Sequence, residues 1–431
     1  MLYENLGINE KGHLTFAGWD TVDLAKVYGT ALMVMDEERI RQRCRAYQEA
    51  MQAFLPAGSK PLYASKALSC KGIYRIMAQE GMGIDVVSVG EICTAAESGF
   101  PMENAFFHGN SKSDSAICYA MDRRVGWFVC DNADELKAIS REAENRGIRQ
   151  KVLLRLTPGI DPHTHEKINT GRIDSKFGAA IETGQAEQLV RLAQKMPGVD
   201  VKGYHCHIGS QIFEDTPFRE AAVLMLEFAA KAQIAFGYYP EVINLGGGMA
   251  VRYRETDPEI DYAANIRGIG QTVTETCARL GVAVPAIFME PGRSIVADSG
   301  ITLYTVSGTK EIPGYLNYVA VDGGMTDNPR YALYNAPYSV LPASKMDSAV
   351  QKAYTVAGWC CESGDILQEN VGLPEMARGD VLAVLTTGAY NYSMASNYNR
   401  MPRPAVLMIG KDGPYTVVRR ETPEDISQYD E

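Results

Sequence analysis

Several short stretches of the chain carry side chains that packing alone does not require. Lys66 closes the run PLYASK, His205 and His207 stand in HCHIGSQ, glycines 246–248 follow VINL, and Glu290 and Arg293 sit in MEPGR. A lysine taken out of water loses part of its affinity for a proton and becomes an amine that can form a Schiff base with an aldehyde. The plainer reading of Lys66 is a strand-end lysine paired with a carboxylate. Consecutive glycines bare their N–H groups and let a phosphate approach, and the Ser210 hydroxyl can join the same anion; ordinary turns contain such residues too. Glu290 and Arg293 are either a local salt bridge of small value or two halves of a cofactor site. In the second case the carboxylate keeps a pyridine nitrogen protonated and the guanidinium binds an anion, as an electron-sink cofactor requires. On a strand, His205 and His207 face the same way. His207, nearer the strand's end, reads as a ring stacked on such a cofactor, and His205 as a histidine one layer deeper with a backbone partner.

Two turn-rich stretches further on, GWCCESGD at 358–365 and GAYNYSMASNYN at 388–399, hold more functional groups than simple connections need. Cys361 is a candidate proton donor, although free cysteine is also a common buried residue. DNPRYALY offers Arg330 and Tyr334, with a solvated loop arginine as the alternative.

These residues need a frame that gathers them. Short β-rich runs at 61–65, 84–87, 105–108, 127–130, 151–156, 202–207, 242–245 and 286–289 alternate with helical periodicity, as at 131–146, 183–195 and 217–236. Eight such alternations predict parallel strands closed into a (β/α)8 barrel, an α/β fold whose chemistry lies at the C-terminal strand ends. The lysine, histidine, glycine run, carboxylate and arginine all fall there. From about residue 301 the pattern changes to strands with turn signals (ITLYTVSGT, LNYVAVDGG, VLAVLTTG, PAVLMIG), which predicts an antiparallel β-domain.

Composition narrows the partners. The 431 residues carry a formal net charge of −11, and the 42 basic residues form no block of five, so a nucleic-acid surface is not expected. No run of about 18 apolar residues suggests a membrane span and no leader is evident, so a cytoplasmic protein is expected. Nine cysteines without a CxxC pair indicate neither zinc nor a disulfide framework, and no metal is expected.

In this order and spacing, YASKA, HCHIGSQI, NLGGG, EPGRSIVA, VDGGM, CESGD and GAY resemble the fold-type III pyridoxal-phosphate-dependent decarboxylases. The similarity runs from LAKVYGTALMVMD to VVRRET and is greatest to the branch that converts meso-2,6-diaminopimelate to L-lysine and CO2. It implies pyridoxal 5'-phosphate as cofactor, a diamino-dicarboxylate as substrate, and a homodimer with shared active sites. It also implies three regions: an N-terminal segment, 1–32, that joins the β-domain; the barrel, 33–295; and the β-domain, 296–431. By resemblance Lys66 carries the cofactor and His207 stacks on it. Ser210, Gly247, Gly248, Gly292, Arg293 and Tyr390 surround its phosphate end, and Glu290 pairs with its ring nitrogen. Arg293, Arg330, Tyr334 and Tyr390 contact substrate, while Cys361, a catalytic proton donor, and Glu362 come from the other subunit. The loop at 158–178 also fits the family, which places His163 and His165 in an active-site loop rather than a metal site. Decarboxylases of ornithine, arginine or D-lysine share several of these motifs. A racemase or an inert scaffold are further alternatives, against which HCHIGSQ, CESGD and the pairing of Lys66 with Cys361 all count.

Overall fold

A computed structural model describes residues 1–160 and 174–431, so His163 and His165 lie outside the described residues. The chain divides into two compact units, one of residues 42–250 and 260–294, the other of residues 1–41, 251–259 and 295–431.

The first unit is the barrel. Its strands are Lys60–Ala64, Gly83–Val86, Ala105–Phe107, Trp127–Cys130, Gln150–Thr157, Val199–His205, Val242–Asn244 and Ala286–Met289, all parallel, with the eighth pairing back onto the first. Helices follow where the sequence supplies caps: Ser88, Ser113 and Asn132 each accept a backbone N–H at a helix start. Leu62, Phe106, Val129, Leu153, Val242 and Phe288 fill the interior as one buried cluster. The Lys60 ammonium lies 5.1–5.9 Å from the ring centres of Phe106, Trp127 and Phe288, in cation–π contact. Strand six differs from the expected 202–207. It starts at Val199, because Val199–Val201 pair with Gln150–Val152 before a bulge, and it stops at His205. His207 therefore lies beyond the strand, and the rule that alternate residues share a face does not reach it.

The second unit is built on a nine-stranded sheet whose long strand Gly300–Glu311 pairs with Leu32–Asp36, Asn317–Val321 and Val381–Leu385. Leu32–Asp36 and the rest of residues 1–41 lie in this unit, as do residues 251–259, so its share of the chain differs from the expected 1–32 and 296–431. The sheet is mixed rather than purely antiparallel. Leu32–Asp36 runs parallel to Ala405–Gly410, and Asn317–Val321 runs parallel to Lys352–Ala357. Leu14, Phe16, Leu32, Val34, Leu303, Leu385 and Leu407 belong to its buried core. Among the described residues no helix is long and apolar enough to cross a membrane.

Candidate active site

At the C-terminal end of the barrel, four strands deliver polar groups to one buried cluster. Glu290 follows strand eight and is only 5% exposed. Its Oε1 accepts from Asn244 Nδ2 at 2.7 Å and lies 3.1 Å from His108 Nε2, and its Oε2 lies 3.2 Å from His205 Nε2. His108 follows strand three, while His205 and Asn244 end strands six and seven. Burial pushes the Glu290 carboxyl up, but His108 and His205 more than offset it and hold the group well below the usual carboxylate range. Burial pushes His205 down to about 4, so near neutral pH it is an uncharged imidazole that donates Nε2–H to an ionised Glu290. His205 therefore has a side-chain partner, not the backbone partner expected from the sequence. Its Nδ1 is buried with no hydrogen-bond partner among the described residues. The three ligand atoms lie within 4.8 Å of one another, which also suits a divalent cation.

The glycines place backbone where a side chain would not fit. Gly246 and Gly248 have φ of +70° and +124°, in the region that favours glycine. A Cβ on Gly247 would overlap the Glu290 carbonyl oxygen, and one on Gly248 would overlap that of Gly209. On Gly292 a Cβ would come within 2.7 Å of Ala64 Cβ. The chain after strands six, seven and eight and the end of strand one thus approach one another closely at these glycines. Gly247→Ala should lower stability by ~1–3 kcal/mol through overpacking and weaken cofactor binding. Thermal melts and cofactor titration of the apo-protein check both, and unchanged values would show that the close approach is not needed.

Arg293 opens the short helix Arg293–Val296 and is buried; its Nε and Nη2 donate to Ser210 Oγ at 3.3 and 3.0 Å. Glu290 and Arg293 thus have different partners here, Glu290 with Asn244, His108 and His205 and Arg293 with Ser210. His207 is half-buried and accepts from the Gly247 N–H at 3.3 Å. Desolvation, then the Lys66 and Arg155 charges, hold it well below the ordinary histidine range. Lys66 stands in the turn after strand one, exposed rather than desolvated, with its charge felt by Asp85, Glu91 and His207. Asp85, in strand two, accepts the Ser65 N–H at 3.0 Å. Asp85, His108, Arg155 and Asn244 were not singled out from the sequence. Each is a polar residue in or beside an apolar strand run (GIDVV, AFFHG, VLLRL, VINLG), and that signal was available.

In the other unit Arg330 opens the helix Arg330–Tyr334 and is only 6% exposed, not a solvated loop residue. It makes no ion pair with a carboxylate among the described residues. Tyr334 lies on the same helix, half-buried, and half-buried Tyr390 has a left-handed φ of 61°. Residues 358–365 wrap around the buried Asp365 carboxylate, which accepts from the N–H groups of Met325 and Cys360 at 2.6 and 2.7 Å. This fold leaves Cys361 and Glu362 exposed. Burial pushes the neighbouring Cys360 thiol up to about 12.

Residues 37–297 match the family described as the pyridoxal binding domain of pyridoxal-dependent decarboxylases. Over 424 residues the chain is 44% identical to the diaminopimelate decarboxylase of Bacillus subtilis (strain 168), covering 98% of this chain and 96% of that protein. The chain belongs to the diaminopimelate decarboxylase family. The crystal structure of diaminopimelate decarboxylase from M. jannaschii superposes with a TM-score of 0.89 at 33% identity, over 99% of this chain and 98% of that one. The Helicobacter pylori diaminopimelate decarboxylase, solved with L-lysine, gives 0.85 at 32%, over 94% and 98%. The residues at the barrel mouth fit the cofactor of this family, pyridoxal 5'-phosphate. A glycine-lined strand end with a guanidinium and a hydroxyl suits its phosphate, and an ionised buried carboxylate flanked by two imidazoles suits its ring nitrogen.

Proposed function

We propose that this chain decarboxylates meso-2,6-diaminopimelate to L-lysine and CO2 as a cytoplasmic homodimer with shared active sites. Arg330 carries the choice of substrate: it is a buried guanidinium without a counter-charge among the described residues. Such a group demands an anion, and a diamino-dicarboxylate presents one that ornithine, lysine and arginine lack.

Bound pyridoxal phosphate supplies an electron sink for the pair left when CO2 departs. Lys66 anchors the cofactor through Nζ, Arg293 and Ser210 with Gly247, Gly248, Gly292 and Tyr390 hold its phosphate end, and His207 orients its ring. Glu290 holds a proton at the ring nitrogen. Arg330 takes the distal carboxylate in a bidentate fork and Glu362 the distal ammonium, with Arg293, Tyr334 and Tyr390 as further contacts. Cys361 Sγ returns a proton to Cα.

Glu290→Gln keeps the shape of the side chain but removes its charge. Turnover should fall ~100-fold, within the range for a positioned proton, while cofactor absorbance shows the site still loaded. Near wild-type turnover would remove Glu290 from this role. The proposed function itself is tested by product analysis, which should find lysine and CO2 in equal amounts. Isomerised diaminopimelate without CO2 would indicate a racemase instead. Sharing of the sites is tested by mixing Lys66→Ala with Cys361→Ala: heterodimers restore about a quarter of wild-type activity if each site draws on both subunits, and no restoration would place both residues in one subunit's site.

A further inference from the structure

We propose that Tyr253, Tyr338 and Asn391 form a clamp that fixes Arg330 for a carboxylate and thereby sets substrate choice; this rests on the proposed role of Arg330. The guanidinium carbon lies 4.9 Å from the centre of the Tyr253 ring and 5.6 Å from that of Tyr338. The two rings meet edge to face, 5.4 Å apart at 86°. Aromatic faces stabilise a cation without neutralising it. They therefore allow the charge to be buried while leaving it available to a ligand.

The clamp also fixes the direction of the fork. Arg330 Nη1 donates to Tyr338 Oη at 2.8 Å, and that hydroxyl donates in turn to Asn391 Oδ1 at 3.2 Å. Asn391, buried, is held by its own Nδ2, which donates to the Thr387 carbonyl at 3.0 Å. The described residues offer no acceptor to the other guanidinium N–H groups, which leaves them for a planar, two-point acceptor. Tyr253 is secured independently: its N–H donates to Asp257 at 2.9 Å and its carbonyl accepts from Ser339 Oγ at 2.8 Å. It belongs to the segment 251–259, which folds with the β-domain although barrel sequence flanks it on both sides.

A guanidinium already in its binding rotamer loses little freedom when the carboxylate arrives. A distal ammonium brought to the same place would instead face a buried cation with no anion to share. The clamp thus acts through Arg330 as a set of positioning residues, favouring a distal carboxylate and disfavouring a simple diamino acid.

The test is steady-state kinetics of the holoenzyme on meso-diaminopimelate for wild type, Tyr338→Phe, Arg330→Lys and the double variant. Tyr338→Phe keeps the ring and removes the hydroxyl. KM should rise about tenfold with kcat changed less than about threefold, the signature of lost binding rather than lost chemistry. In the Arg330→Lys background the same change should cost less than about twofold, because residues that act as a unit are not additive. Tyr253→Leu, which removes a ring face, should also raise KM, and cofactor absorbance should stay as in wild type. An unchanged KM in Tyr338→Phe, or the full tenfold loss repeated in the Arg330→Lys background, would overturn the clamp while leaving the decarboxylase reading intact. Wild type that released no CO2 from meso-diaminopimelate would remove that reading and the clamp with it.

Discussion

Lys66→Ala lowers turnover of meso-diaminopimelate by about four orders of magnitude or more, ~5.5 kcal/mol at 1.36 kcal/mol per decade, and abolishes the visible band of lysine-bound cofactor. Two other lysines in the barrel are committed elsewhere. Lys60 lies against the Phe106, Trp127 and Phe288 rings, and Lys112 pairs with Glu135 at 2.7 Å. Lys66 alone of the three acts on His207, Asp85 and Glu91 together. Its side chain is exposed, so the substitution should move stability by no more than about 0.5 kcal/mol. The variant should therefore be folded, colourless and inactive. A coloured variant that still turned over substrate would take Lys66 out of the chemistry.

Arg330→Ala lowers kcat/KM for meso-diaminopimelate by about 100- to 1,000-fold, the scale of losing a buried charged hydrogen-bonding partner. The same variant gains relative activity on lysine or ornithine, because the cation that disfavours a distal ammonium is gone. Competition assays with mixed substrates read that ratio directly. Preference for the dicarboxylate unchanged in Arg330→Ala would move the specificity to another residue.

Much of the barrel can be read from the sequence, because each strand is a short apolar run and the chemistry-bearing residues interrupt the apolar pattern where the runs end. Lys66, the glycine run and Glu290 stand out for that reason. Asp85, His108 and Asn244 carry the same signal at the ends of strands two, three and seven, and Arg155 carries it within strand five. Other features have no local signal. That residues 251–259 fold with the β-domain depends on partners distant in sequence, such as Ser339 and Tyr338. The burial of Arg330 has the same origin, since DNPRYALY by itself resembles a solvated turn. The parallel pairing of Ala405–Gly410 with Leu32–Asp36 joins opposite ends of the chain, and a pattern of alternating residues does not specify a strand's neighbour.

Initial rates of CO2 release by the purified protein with added pyridoxal phosphate, compared among meso-diaminopimelate, ornithine, arginine and lysine, bear most directly on the proposed activity. Release from meso-diaminopimelate at least ~100-fold faster than from the other three, the discrimination expected of a site that must pair a buried charge, would bear out both the reaction and the substrate. Faster release from a simple diamino acid, or none from any of the four, would contradict it.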